Sequence, residues 1–281
     1  MDDESPFTSA WLKWGWGTAH AELLKAYVRE ATLEIQRQGR VTATQRYDPK
    51  RHCILIVAED VPPIPERLGL ILGDAVGGLR SSLDHLAWEL VKRGRTPSLT
   101  EAAKMKVQFP ISKRREWFNG AIRAALPGVR RTDLAIVRWA QPYNAGKRNL
   151  DRHPLAPLAK LSRYDKHRMV QPIWVLPIGS RYEVKSYRDC VITKIPRRGQ
   201  IQRLEPGAEI ARIYVRRTGP KPNIQMQGQI TVEPFVDKFV MLGDWIDKAS
   251  KFIAVVLNRF AKPPQDILER IAPQGGEHIF P

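Results

Sequence analysis

The feature that most constrains this chain is one long amphipathic segment, ERLGLILGDAVGGLRSSLDHLAWELVKR, at residues 66–93. Its leucine, isoleucine, valine and alanine residues recur at steps of three and four, which is the spacing of one face of an α-helix. Prolines at positions 62, 63 and 65 separate it from the preceding segment. We therefore predict a central helix over residues 66–93, with one broad face in a hydrophobic core.

The opposite face of this helix carries small and polar residues. Glycine inside a helix costs about 1 kcal/mol relative to alanine, so small residues at helical spacing indicate that another helix approaches closely. That partner is either another helix of this chain or the same helix of a symmetry mate. For the second case the predicted dimer interface consists of Gly73, Gly77, Ser81 and Trp88.

The remaining patterns predict an α+β fold. Helices are expected near 11–38, 115–125, 133–139, 153–168 and 239–260, and short strands near 41–57, 173–176, 182–185, 190–193, 210–215 and 229–232. In domain terms, we expect a helical region at 1–170 with a small β-hairpin near 40–58, an antiparallel, basic β-rich section at 171–236, an amphipathic C-terminal helix at 237–262 that packs back, and a tail at 263–281.

Charge narrows the class of partner. The chain holds 46 Lys and Arg against 29 Asp and Glu, a formal net charge of +17. A field of this strength favours phosphate backbones as partners, although arginine enrichment through genome base composition is the alternative. The acidic N-terminus and the lack of an apolar run of about 20 residues predict a cytoplasmic protein with no membrane partner.

Cofactor and metal signatures are missing from the sequence. Cys53 and Cys190 lie far apart, without the spacing of a zinc site or a disulfide scaffold. The glycines of the central helix lack the lysine of a phosphate-binding loop. We accordingly predict neither a cofactor nor a metal ion.

Two basic clusters are candidate nucleic-acid contacts. One closes the short helix before the β-rich section and comprises Arg163, Lys166, His167 and Arg168. The other lies in the β-rich section and includes Arg197, Arg198, Arg216 and Arg217. The alternatives are cations placed to favour a helix C-terminus and edge charges on a solvated sheet that oppose aggregation.

Within the central segment, RSSLDH at residues 80–85 fits the Arg-x4-6-His pattern of HEPN domains (higher eukaryotes and prokaryotes nucleotide-binding), many of which are metal-independent ribonucleases. The wider chain also resembles an uncharacterised bacterial family. The marks of that family are LGLILGDAVGGLRSSLDHLAWELV, QFPI at 108–111, QPY at 141–143 and HPLAPLAKLSRYDKHR at 153–168. The resemblance implies a HEPN-like helical bundle.

The HEPN resemblance also implies a catalytic set. Two copies would face each other across the motif helix, with His85 as general base or proton relay at a ribose 2′-hydroxyl. Arg80 would bind the scissile phosphate, and Asp84 would orient either His85 or Arg80. The chain departs from these families by having Gly77-Gly78 in place of His-Asn and Ser81 directly after the arginine. The alternative is an ordinary intrahelical Arg80–Asp84 ion pair.

These observations give three hypotheses. The first is a metal-independent HEPN-like endoribonuclease that acts on RNA as a homodimer, as a toxin or phage-defence effector with an unidentified antitoxin. The second is a non-catalytic nucleic-acid-binding protein. The third is an oligomeric partner-binding protein, in which the small-residue face of the central helix serves only assembly.

Overall fold

A computed structural model describes residues 6–38, 42–61, 65–94, 98–166, 174–195, 204–237, 240–264 and 267. Within them the predicted α+β class is confirmed. The helices are α1 (Thr8–Gln38), α2 (Glu66–Arg93), α3 (Glu101–Lys104), α4 (Arg115–Ala125), α5 (Arg131–Trp139), α6 (Leu155–Lys166) and α7 (Leu242–Asn258). The strands are β1 (Thr42–Asp48), β2 (Cys53–Asp60), β3 (Trp174–Arg188), β4 (Cys190–Lys194), β5 (Glu209–Arg217), β6 (Asn223–Asp237) and β7 (Val240–Met241). Short 3-10 helices at Pro142–Ala145 and Lys147–Arg152 link α5 to α6.

The chain divides into two compact units. The helical unit comprises Met1–Lys25, Gly69–Gln171 and Gly243–Pro281, and the sheet unit comprises Ala26–Leu68 and Pro172–Leu242. The predicted hairpin forms, as β1 and β2, but it is not an insert confined to the helical region. Strand β2 pairs antiparallel with β5, so the hairpin and the β-rich section share one sheet.

Two antiparallel sheets form the sheet unit. Their strand orders are β1-β2-β5-β4 and β3-β6-β7. The strands predicted at 173–176 and 182–185 are one strand, β3, whose pairing with β6 shifts register between Pro177 and Gly179 and again between Val184 and Ser186. Such irregularities let a strand continue past proline and glycine, which the sequence pattern treats as its end.

The core of the helical unit is built on α2. The leucines that the helical pattern assigned to the core, from Leu72 to Leu90, are fully buried. Two indole groups of α1 donate to the C-terminal part of the unit: Trp14 Nε1 donates to the Ser250 carbonyl of α7 at 3.0 Å, and Trp11 Nε1 donates to the carbonyl of Ala261, which follows α7, at 3.2 Å. These buried aromatic contacts fix both helices in the unit.

Helices α1 and α2 meet at a pair of glycines. A Cβ atom added to Gly78 would lie 2.6 Å from the Gly17 Cα atom, closer than real Cβ contacts come. Another helix of this chain therefore approaches α2 closely at Gly78, a residue that the predicted small-residue face did not include. Of the residues predicted for a dimer interface, Gly73 is buried, whereas Gly77, Ser81 and Trp88 keep partial exposure. Homodimerisation stays a prediction.

Candidate functional site

Arg80 and Asp84 of α2 form a closed network with the backbone of Phe109. Arg80 donates to Asp84 through Nε at 3.1 Å and through Nη2 at 2.8 Å. The same Nη2 group donates to the Phe109 carbonyl at 2.8 Å, and the Phe109 amide donates to Asp84 Oδ1 at 2.9 Å. The ion pair that the sequence suggested therefore exists, and it also holds a distant segment against α2.

Gln141 binds the same segment one and three residues after Phe109, at Pro110 and Ser112. Its side chain is fully buried, and its Nε2 group donates to the carbonyls of Pro110 at 2.8 Å and Val137 at 2.9 Å. Its Oε1 atom accepts from the Ser112 amide at 2.9 Å. Buried amides left without such partners would cost about 1–3 kcal/mol each. Residues 108–112 are thus clamped by α2 on one side and by Gln141 on the other.

The clamped segment forms one wall of a groove with a volume of about 880 Å³. Arg80 contributes from α2, and residues 108–113 line the groove together with Trp117, Ala121 and Ala125 of α4 and Ala156, Ala159 and Arg163 of α6. The alanine side chains at these helical positions are too small to fill the space between the two helices. The result is an open cleft inside the helical unit, large enough for a small-molecule or polymer ligand.

The groove is positively charged. Arg80, Lys113, Lys160 and Arg163 line it, and none of the described lining residues is acidic. Lys113 forms an ion pair with Asp151, and both side chains are largely exposed. Exposed pairs of this kind are worth about 0–1 kcal/mol, so a phosphate group can replace the carboxylate at little cost.

Arg80 is the most buried of these cations. Its side chain is only 10% exposed, and three N–H groups are used by Asp84 and Phe109. Among the described residues its Nη1 group has no hydrogen-bond partner. A guanidinium held by fixed partners presents its remaining donors without losing further side-chain entropy.

An exposed tryptophan stands at the groove. Trp117 keeps 61% of its surface accessible although it is a large apolar side chain. The Arg114 guanidinium lies over its ring, with Cζ 4.6 Å from the ring centroid. This cation–π contact orients the indole while leaving much of its surface open. Large exposed aromatic groups beside cations are typical of sites that stack planar ligands.

The structure does not bring His85 into this groove. Arg80 and His85 are five residues apart on α2, which is about 140° around the helix, and only Arg80 is among the lining residues. Burial lowers the pKa of His85, and the charge of Lys13 on α1 lowers it further. Among the described residues no hydrogen bond reaches its ring. Of the predicted catalytic set, Arg80 and Asp84 are together and His85 is apart.

The predicted nucleic-acid contacts divide between the two units. Arg163 is exposed and lines the groove, and its Nε group donates to the Ala159 carbonyl at 3.2 Å. Lys166 ends α6, but its side chain lies outside the described residues, as do His167, Arg168, Arg197 and Arg198. Arg216 and Arg217 are exposed at the end of β5. As consecutive strand residues they point to opposite faces.

Sequence reasoning missed three groove residues: Lys113, Trp117 and Lys160. The available signal was the run SKRREW, which follows QFPI directly and combines basic and aromatic residues. The family marks hold a second signal. Contacts or shared lining bring four of them to one place: α2 and QFPI through Arg80, QPY through Gln141, and HPLAPLAK through the lining alanines.

Metal-ion sites, membrane-spanning helices and similarity to known proteins also bear on function. The described residues contain no group of three or more His, Cys, Asp and Glu side chains arranged to hold a metal ion. No helix in the described part of the chain combines the length and apolar character needed to span a membrane. Comparison with protein-family models, curated proteins and solved structures finds no match.

Proposed function

We propose that this protein binds nucleic acid, without cleaving it, in the groove between the clamped segment, α4 and α6. The observation that carries the proposal is the lining of that groove, which has four cations, no acidic side chain among its described residues and an exposed indole. Cationic grooves with aromatic side chains are the usual way that proteins follow a phosphodiester backbone.

The distribution of charge around the groove supports a polyanionic ligand. Residues 104–163, which supply most of its lining, contain fourteen Lys and Arg but only three Asp and Glu. Their net charge of +11 accounts for much of the +17 of the whole chain. A local excess of this size attracts a phosphate polymer at long range.

Non-catalytic binding is favoured over the ribonuclease hypothesis by the positions of Arg80 and His85. A HEPN-type mechanism needs both groups at one phosphodiester, but only Arg80 lines the groove. Arg80 also spends most of its donors on Asp84 and Phe109, as a structural residue would. RNA cleavage, the toxin role and an antitoxin stay predictions.

Paired charge-removal variants test the proposal. Lys113→Gln with Arg163→Gln removes two groove cations, whereas Arg216→Gln with Arg217→Gln removes two exposed cations from the sheet unit as a matched control. Fluorescence anisotropy with a labelled 20-nucleotide RNA, over a range of salt concentrations, measures affinity. We expect the groove pair to lose about tenfold in affinity and to reduce the salt slope by about two, because each phosphate contact contributes about one. The sheet pair should stay within about twofold of the unmodified protein.

Each other result counts against the proposal. A larger loss in the sheet pair would transfer the binding surface to β5, and absence of binding at low salt would reject a nucleic-acid ligand. Gel analysis of the same RNA after incubation in EDTA tests the non-catalytic part. Cleavage by the unmodified protein that His85→Ala abolishes would restore the ribonuclease hypothesis.

A further inference from the structure

We infer that the groove selects single-stranded nucleic acid, with an unpaired base stacked on Trp117 and the backbone held by cations at the rim. This inference rests on the proposed function of the groove and adds the class of ligand. It starts from the 61% exposure of Trp117. An indole in water is unfavourable by about 25 cal/mol for each Å² of apolar surface that a ligand would cover.

The orientation of the indole is set in advance. The Arg114 guanidinium lies 4.6 Å from the ring centroid, and Trp117 belongs to the first turn of α4, which begins at Arg115. Phe118, its neighbour, is fully buried and anchors that turn. A base that stacks on Trp117 therefore meets a ring that is already positioned, which limits the entropy lost on binding.

The length of the groove suits a short stretch of one strand. On α4 the lining runs from Trp117 to Ala125, and on α6 from Ala156 to Arg163. At 1.5 Å per helical residue these edges measure about 12 Å and about 10 Å. With a rise of about 3.4 Å for each stacked nucleotide, about three nucleotides fit along the cleft.

The groove has apolar side chains between its helices and cations at its rim, which matches the bases and phosphates of a single strand. Ala121, Ala125, Ala156 and Ala159 provide apolar surface between the helices, whereas Lys113 and Arg163 are exposed beside it. Bases directed inward would meet apolar and aromatic surface, and phosphates would meet cations. A duplex buries its base faces in its own stack, so it could use the cations but not Trp117.

The test compares three labelled ligands of equal phosphate number: a single-stranded RNA, a fully paired duplex, and a single strand with abasic positions. The variants are Trp117→Ala, Trp117→Phe and the control Trp16→Ala. Trp16 is also more than half exposed but does not line the groove. Thermal unfolding followed by circular dichroism verifies that each variant is folded.

We expect the unmodified protein to prefer the single strand over the duplex by about tenfold at physiological salt. Trp117→Ala should lose about tenfold for the single strand, the size of one stacking contact, and should hardly change duplex or abasic binding. Trp117→Phe should recover most of the loss, and the salt slope should not change. Trp16→Ala should match the unmodified protein.

Equal affinity for strand and duplex would overturn the inference while leaving nucleic-acid binding intact. The same holds if Trp117→Ala weakens all three ligands alike, because a stacking contact requires a base. If none of the ligands binds the unmodified protein, the proposed function itself fails. Failure of the ligand class and failure of the function are thus separate outcomes.

Discussion

Both units of this protein contain an arginine–carboxylate pair joined by two hydrogen bonds of nearly the same length, and these two pairs have different consequences. In the helical unit Arg80 binds Asp84 at 3.1 and 2.8 Å. In the sheet unit Arg212 binds Glu209 at 3.0 and 2.7 Å. The first pair also binds the backbone of Phe109 on a separate segment, and its arginine lines a concave surface. The second joins two residues of one strand.

The other cations of the two units also differ in their arrangement. In the groove, side chains from α2, α4, α6 and the clamped segment converge on one volume. On β5 the exposed cations are Arg216 and Arg217, which point to opposite faces, and Arg217 donates to the carbonyls of Gly219 and Pro220. Positive charge alone therefore does not identify a ligand site. The groove differs from the β5 surface in its concave shape, where Trp117 and the fixed guanidinium of Arg80 line one volume.

The largest expected difference between the units concerns glycine. Gly78→Ala in α2 would place a Cβ 2.6 Å from Gly17 Cα, and two backbones cannot separate without disturbing the core. We expect a loss of about 3 kcal/mol or more in the free energy of unfolding. Gly207→Ala in the sheet unit meets open space but has a φ of +87°, so strain should cost only about 1–2 kcal/mol.

Hydrogen exchange measured residue by residue reports these losses in each unit. Gly120→Ala is the matched control, since that helical position is open and alanine should stabilise it by up to about 1 kcal/mol. A Gly78→Ala variant as stable as the control would mean that α1 and α2 do not meet at this point.

Replacing the arginine of each pair, Arg80 or Arg212, measures how much that pair contributes to the free energy of unfolding. Arg80→Met should cost about 2–3 kcal/mol, because Asp84 then keeps a partly buried charge without its cation and the Phe109 carbonyl loses its donor. Arg212→Met should cost about 1–2 kcal/mol, less than Arg80→Met, because Glu209 also loses its cation but both hydrogen bonds of the pair lie within β5. Urea unfolding measures both, and exchange of the Phe109 amide should rise only in Arg80→Met. Equal costs would show that the clamp adds nothing.

The effect of acidification on stability is the smallest of the expected effects, and it depends on His153 of the helical unit. Burial lowers the pKa of His153 to about 4, and its Nδ1 atom accepts from the Leu155 amide at the start of α6. Above about pH 6.5 the ring is neutral in both folded and unfolded chains. Between pH 6.5 and 4 the unfolded chain takes up the proton more readily than the folded chain, so stability falls as the pH is lowered through this range.

Thermal unfolding between pH 7 and pH 4 measures this slope. His153→Asn should remove most of it, and the lowered pKa of His85 should leave a smaller slope of the same sign. Exchange protection in β2 and β5 should change least. An unaltered slope in His153→Asn would assign the effect to other groups.

Local patterns were sufficient for most elements. Helix α2 has the predicted bounds of 66–93 because its apolar period and the prolines before it are both local signals. The partner of the hairpin was not predictable in this way. Strand β2 pairs with β5, about 150 residues later in the chain, and no local period specifies which strand a sheet edge accepts.

The residues of the candidate site were harder to predict from the sequence than the elements of the fold. Its lining comes from three separate stretches, around residues 80, 108–125 and 156–163, and only tertiary packing brings them together. The separation of Arg80 from His85 follows from helix geometry and could be read from their spacing. The role of Gln141 could not be predicted, because nothing in the local sequence distinguishes a buried glutamine from an exposed one.

Gln141 donates one hydrogen bond to the Pro110 carbonyl and accepts one from the Ser112 amide, and these two bonds determine how the proposed binding region can be dissected. A truncated chain that ends before residue 141 would leave that segment without its anchor, and one that ends before residue 163 would lack the α6 wall. Deletion mapping of the proposed RNA binding would therefore report a loss for almost every shortened chain, wherever the contacts themselves lie. During synthesis, likewise, the pocket would remain incomplete until more than half of the protein had left the ribosome.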